Sequence, residues 1–133
     1  MKILKQEIVL NASCHEVYEA FMDSERHSMF THDKAEIDRV VGGKIKAYGD
    51  YIIGENLELV PDKLIVQKWR ANDWPKEHFS IVRFELKEIF GLRGKPKAKI
   101  IFTQENIPES FYEEIKQGWQ DYYWNSLKTS FGW

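Results

Sequence analysis

The chain has 133 residues, a formal charge of −2, one cysteine and 30% charged residues. That length suits one domain able to bury roughly two-thirds of its unfolded surface, so no disulfide or metal is needed to hold it together. An acidic balance, with a pI near 6.1, argues against nucleic acid as the partner, because phosphate contacts require a basic surface. Lone Cys14 fits a reducing compartment. The N-terminus has no signal-peptide core and no run approaches membrane-spanning length. The expectation is a cytoplasmic, monomeric, single-domain protein over residues 1–133, with no membrane insertion.

Residues 3 to 10 alternate Leu4, Gln6, Ile8 and Leu10 against Ile3, Lys5, Glu7 and Val9, a strand with at least one buried face. Asn11-Ala12-Ser13 breaks it. Ser13 and Glu16 form a capping box, and Val17, Tyr18, Phe21 and Met22 follow at helical spacing. A second short helix begins near Asp23 or Ser24 and ends before Thr31.

From about Ala35 to Asn106 the period is two. Gly42-Gly43 and Gly49-Asp50 mark turns. A run through Tyr51, Ile53, Glu55, Leu57 and Leu59 closes at Pro61-Asp62. Leu64 to Arg70 is the next strand, punctuated by Asn72-Asp73-Trp74-Pro75. In Ser80 to Glu88, Val82, Phe84 and Leu86 point inward while Arg83, Glu85 and Lys87 point out. Gly91-Leu92-Arg93-Gly94 turns the chain, and Ala98, Ile100 and Phe102 alternate on the return. Asn106-Ile107-Pro108 ends the sheet.

A final helix starts at Glu109 or Ser110, with Glu109, Glu113 and Glu114 early in it where the helix dipole favours acids. Ile115, Trp119, Tyr122 or Tyr123, Ser126 or Leu127, and Phe131 make one stripe. Aromatic residues are mediocre helix formers, so packing must hold this segment. Four such rings burying about 150 Å² each, at about 25 cal/mol per Å², gain on the order of 15 kcal/mol before entropy. Gly118 suggests a close backbone approach at one point. The fold class expected is therefore α+β: a curved antiparallel sheet of six to seven strands gripping a long C-terminal helix, with two short helices after the first strand.

No glycine-rich phosphate loop or nucleophile elbow is present. His27 and His32 are five apart with Asp33 beside them, a spacing that does not share a helical face, so they read as surface or helix-end histidines and no metal or cofactor is expected. Cys14 and His15 are adjacent and diverge on a helix, which leaves a structural thiol. The chain is not expected to be an enzyme.

Trp69-Arg70 and Trp74-Pro75 with His78-Phe79 flank one loop. Either Trp69 is core and Trp74 caps the end of the sheet, or the loop presents aromatics to a ligand or a protein partner. Arg93, Lys95, Lys97 and Lys99 crowd one hairpin, as a solvated outer face or as a docking patch for an acidic partner. Trp69, Phe84, Phe102, Trp119 and Tyr123 are expected to face the space between helix and sheet and to fill it.

Phe30-Thr31-His32, Gly42-Gly43-Lys44, the segment Leu59 to Arg70, Trp74-Pro75, His78-Phe79, Ile107-Pro108, and Gln117-Gly118-Trp119 through Tyr122-Tyr123 to Phe131-Gly132 occur in that order over nearly the whole chain. In this the sequence resembles the C-terminal domain of the activator of heat-shock protein 90 ATPase. The resemblance implies the START-like, Bet v 1-type helix-grip fold. It also implies a co-chaperone module that binds the chaperone and modulates its ATPase. In eukaryotic members, it implies, a separate N-terminal domain makes the main chaperone contact. Residues expected to meet the partner or a ligand are Trp69, Arg70, Trp74, His78, Phe79, Arg93, Lys95, Lys97, Trp119, Tyr122 and Tyr123. The alternative reading is carriage of a small hydrophobic molecule between helix and sheet.

Overall fold

A computed structural model describes residues 2–91 and 94–131. Strand β1 (Lys2–Leu10) leads into helices α1 (Cys14–Met22) and α2 (Ser24–Thr31). Strands β2 (Glu36–Ile37), β3 (Lys44–Ala47), β4 (Ile52–Val60), β5 (Leu64–Ala71), β6 (Ser80–Phe90) and β7 (Pro96–Ile107) follow. They form one antiparallel sheet of order β1-β7-β6-β5-β4-β3-β2, a six-strand meander whose last strand pairs back with the first. No helix among the described residues is long and apolar enough to cross a membrane.

The capping box forms as expected: the Glu16 amide donates to Ser13 Oγ at 3.1 Å and the Ser13 amide donates to Glu16 Oε1 at 3.1 Å. Val17, Tyr18, Phe21 and Met22 are buried on the inward face of α1. In β6, Val82, Phe84 and Leu86 are buried, and in β7 Ala98, Ile100 and Phe102 match them. Strand β4 departs from its expected alternation. Ile52 and Asn56, the even positions, are buried, while Tyr51 just before the strand and Leu57 are exposed, and a bulge between Asn56 and Glu58 then shifts the pairing with β5. One glycine in this strand is obligatory. A Cβ at Gly54 would stand 2.1 Å from the Lys68 carbonyl oxygen across the ladder.

The closing helix, α3 (112–130), follows a 3₁₀ turn at Glu109–Phe111 and is not uniform. Its first turns, Tyr112–Gly118, and its last, Asn125–Ser130, are α-helical. Between them Trp119–Trp124 is π-helical, and the Asn125 amide donates to the Gln120 carbonyl five residues back. In an α-helix residues five apart diverge by about 140° around the axis. The wider turn brings them near one face. Trp119 and Trp124 thereby both enter the core, with Tyr123 and Leu127, while Tyr122 is left 59% exposed. The expected stripe is thus corrected: Tyr123 and Leu127 are the inward choices, and Trp124 joins them.

The helix lies in the concave face of the sheet. Trp119 sits over Phe84 and Phe102, with ring centroids 5.8 and 4.4 Å away, and Trp124 packs on Phe102 at 5.3 Å. Phe84 and Phe102 are therefore core beneath the helix and fill the space at this end. Gly118 makes no close approach. A Cβ there would meet only Tyr122 Cδ2, at 3.8 Å.

Candidate functional site

The packing under α3 is dense at one end and open at the other. A half-enclosed cleft of about 440 Å³ lies between the helix and the β3–β5 end of the sheet. Its floor is Ile52, Trp69 and Gln104, one wall is Trp119 and Tyr123, and Trp74 closes an end. The rim is Tyr48, Tyr51, Tyr122 and Glu114. Trp69 and Trp119 stack at 4.8 Å, which joins sheet to helix along the floor. The volume falls in the range of about 300–1,000 Å³ usual for ligand clefts, so the bulky residues expected to fill the space do so only in part.

Local chemistry holds the rim. Tyr48 has φ of +53°, a left-handed conformation uncommon for an aromatic residue, and turns the chain out of β3 together with Gly49 at φ +70°. Its hydroxyl donates to the Tyr122 carbonyl at 3.1 Å, tying the β3–β4 loop to the π-helical turn. Tyr51 donates to the Asp73 carboxylate at 3.1 Å. Burial first, then the bond to Asp73, pushes the Tyr51 phenol up to about 12. Burial likewise raises Tyr48 and Tyr123 above the ordinary phenol value.

Three of the four described tryptophans share one device, an indole N–H donated to a glutamine. Trp69 Nε1 donates to Gln67 at 3.0 Å, Trp119 Nε1 to Gln104 at 2.8 Å and Trp124 Nε1 to Gln6 at 2.6 Å. Buried Gln67 and Gln104 pass their own amide protons on, to Asn56 at 2.9 Å and to Ser80 at 2.8 Å. Polar groups buried among aromatics are thus satisfied, as stability requires. Trp74 is the exception. Its Nε1 is buried without an acceptor among the described residues.

Behind the cleft, His27 bridges α1 and α3. Its Nδ1 lies 3.0 Å from the Phe21 carbonyl and its Nε2 3.0 Å from the Tyr123 hydroxyl. A carbonyl only accepts, so Nδ1 carries the proton and Nε2 accepts from Tyr123. Desolvation outweighs the Phe21 bond and pushes His27 down to about 4, which keeps it neutral. His27 is thus a buried structural residue and not the surface histidine expected. His32 is exposed in a left-handed helix cap. Among the described residues no three His, Cys, Asp or Glu side chains gather as a metal-binding group. Burial raises the Cys14 thiol.

Of the residues expected at the site, Trp69, Trp74, Trp119, Tyr122 and Tyr123 do converge on the cleft. The rest of the aromatic loop does other work. Trp69 and Trp74 are only 7% and 4% exposed, so the loop does not present them to a protein partner. Arg70 donates to the Trp74 and Pro75 carbonyls at 2.7 and 3.3 Å, clamping the loop inward. His78 Nε2 is bonded to the Asn106 carbonyl at 2.8 Å, and Phe79 lies under the Lys68 ammonium at 4.9 Å. On the basic hairpin Lys95 is exposed and Lys97 half-buried, while Lys99 pairs with Glu7 at 3.0 Å. Arg93 lies outside the described residues. Tyr48, Tyr51, Gln104 and Glu114 had no sequence signal that joined them to the tryptophans beyond the Gly49-Asp50 turn between the first two.

A family model described as Activator of Hsp90 ATPase homolog 1-like protein matches residues 11–132. The chain is 34% identical over 131 residues to the human Activator of 90 kDa heat shock protein ATPase homolog 1, covering 98% of this chain and 37% of that protein. It therefore spans little more than a third of the length of that relative. Among solved structures, an HSP90 activator from Plasmodium falciparum superposes with a TM-score of 0.89 at 24% identity, covering 99% of this chain and 97% of that one. An Aha1 dimer from Colwellia psychrerythraea superposes with a TM-score of 0.82 at 20% identity, covering 98% and 96%. At these identities the two structures speak for the fold, a helix grip.

Proposed function

We propose that this chain, which belongs to the Activator of Hsp90 ATPase homolog 1-like family, docks on a chaperone of the 90 kDa heat-shock class and modulates that chaperone's ATPase. The observation that carries the reading is the family match over 11–132, reinforced by a relative named as an ATPase activator at 34% identity. It favours chaperone docking over carriage of a hydrophobic molecule as the main role. The chain would act on catalysis performed by its partner and supply no catalytic residue of its own. It would do so in the cytoplasm, as a monomer.

With Trp74 turned inward, the docking surface we favour is the β6–β7 hairpin. Phe90 there is 69% exposed and Lys95 is exposed beside it. An exposed aromatic next to basic side chains suits an acidic partner surface, the ring supplying affinity and the charge the rate of encounter. The test is an ATPase and binding assay with the purified chaperone from the same cell. Binding in the micromolar range, weakened about tenfold by Phe90→Ala with Lys95→Glu while the urea midpoint stays unchanged, is expected. No binding at tens of micromolar removes the reading.

A further inference from the structure

The chemistry of the cleft under α3 says more than its volume. Seven of its twelve lining residues are aromatic: three tryptophans and four tyrosines. Its one charged lining residue is the carboxylate of Glu114, and no Lys, Arg or His is among the described residues that line it. Asp73 stands just outside, holding the Tyr51 hydroxyl. Aromatic faces carry negative quadrupole charge and attract cations, most of all cations whose methyl groups keep them weakly hydrated. A carboxylate at the mouth acts in the same direction and repels anions.

We propose that the cleft binds a small organic cation, an ammonium or quaternary ammonium group on an apolar body. The cleft's half-enclosed shape and modest volume suit a small molecule and not a peptide segment. This site is separate from the β6–β7 hairpin, so it stands or falls independently of chaperone docking.

Acetylcholine and its neutral isostere 3,3-dimethylbutyl acetate are the probes, since they share shape and ester carbonyl and differ in charge. Binding is read from the indole N–H resonances in ¹⁵N-resolved NMR, assigned with single Trp→Phe variants. Acetylcholine should shift the Trp74 and Trp119 signals saturably and bind at least about tenfold more tightly than the isostere. Glu114→Gln, at an exposed helical position, should weaken acetylcholine about threefold and leave the isostere unchanged. Equal affinity for the two probes, an unaltered gap in Glu114→Gln, or no saturable shift up to about 10 mM would each overturn the proposal.

Discussion

Acidification should destabilise this protein through His27 well before its carboxylates are protonated. In the folded state His27 is held neutral at about 4 against an ordinary value of 6.5. The unfolded chain therefore binds more protons than the folded one between these values, and stability falls as pH drops through 6.5 toward 4. At 1.36 kcal/mol per pH unit the whole shift is worth about 3 kcal/mol, of which about 2 kcal/mol is already lost by pH 5. Urea unfolding at about pH 7.5 and about pH 5 should show the midpoint falling by about 1 M. His27→Gln supplies the control, because its amide can donate to the Phe21 carbonyl and accept from Tyr123 without titrating. Every other ionisable group is common to both proteins, so the difference between their pH dependences isolates His27. Parallel pH dependences, or an Nε2-protonated ring in the NMR spectrum, would refute the reasoning.

Gly54→Ala should cost at least about 2 kcal/mol in urea unfolding, since its Cβ would collide with the Lys68 carbonyl in the β4–β5 ladder. Gly118→Ala should instead stabilise by about 0.5–1 kcal/mol, because it removes a helix-interior glycine and its Cβ meets only Tyr122 at 3.8 Å; a lower melting temperature would contradict this. Trp119→Phe strands the Gln104 carbonyl oxygen, now bonded at 2.8 Å, and should cost about 2–4 kcal/mol. Trp119→Phe with Gln104→Leu should recover part of that loss, a coupling that a double-mutant cycle measures.

The elements of this fold are readable from local chemistry. Period-two alternation marks β6 and β7, the Ser13–Glu16 box marks the start of α1, and glycine turns mark the hairpins. Each depends on neighbours within a few positions, so residue order alone determines it. The direction of the closing helix was legible too, because a sheet with one apolar face must be covered and only an aromatic helix of that length was available. The site was half legible. Trp69, Trp74, Trp119, Tyr122 and Tyr123 stand out as aromatics, yet residue order left two readings of Trp74 open, and the inward one holds because Arg70 clamps the loop through backbone carbonyls that no sequence pattern displays.

Tertiary structure decided the rest. An α-helical period would place Trp124 away from Trp119, and only packing against Phe84 and Phe102 makes a π-helical turn worth its poorer hydrogen bonding. The pairings of Trp119 with Gln104, of Trp124 with Gln6 and of His27 with Tyr123 join residues 15, 118 and 96 positions apart. Such contacts form only once the sheet has curved, so side chains that look unrelated along the chain become partners in one buried network and leave a cleft beside it.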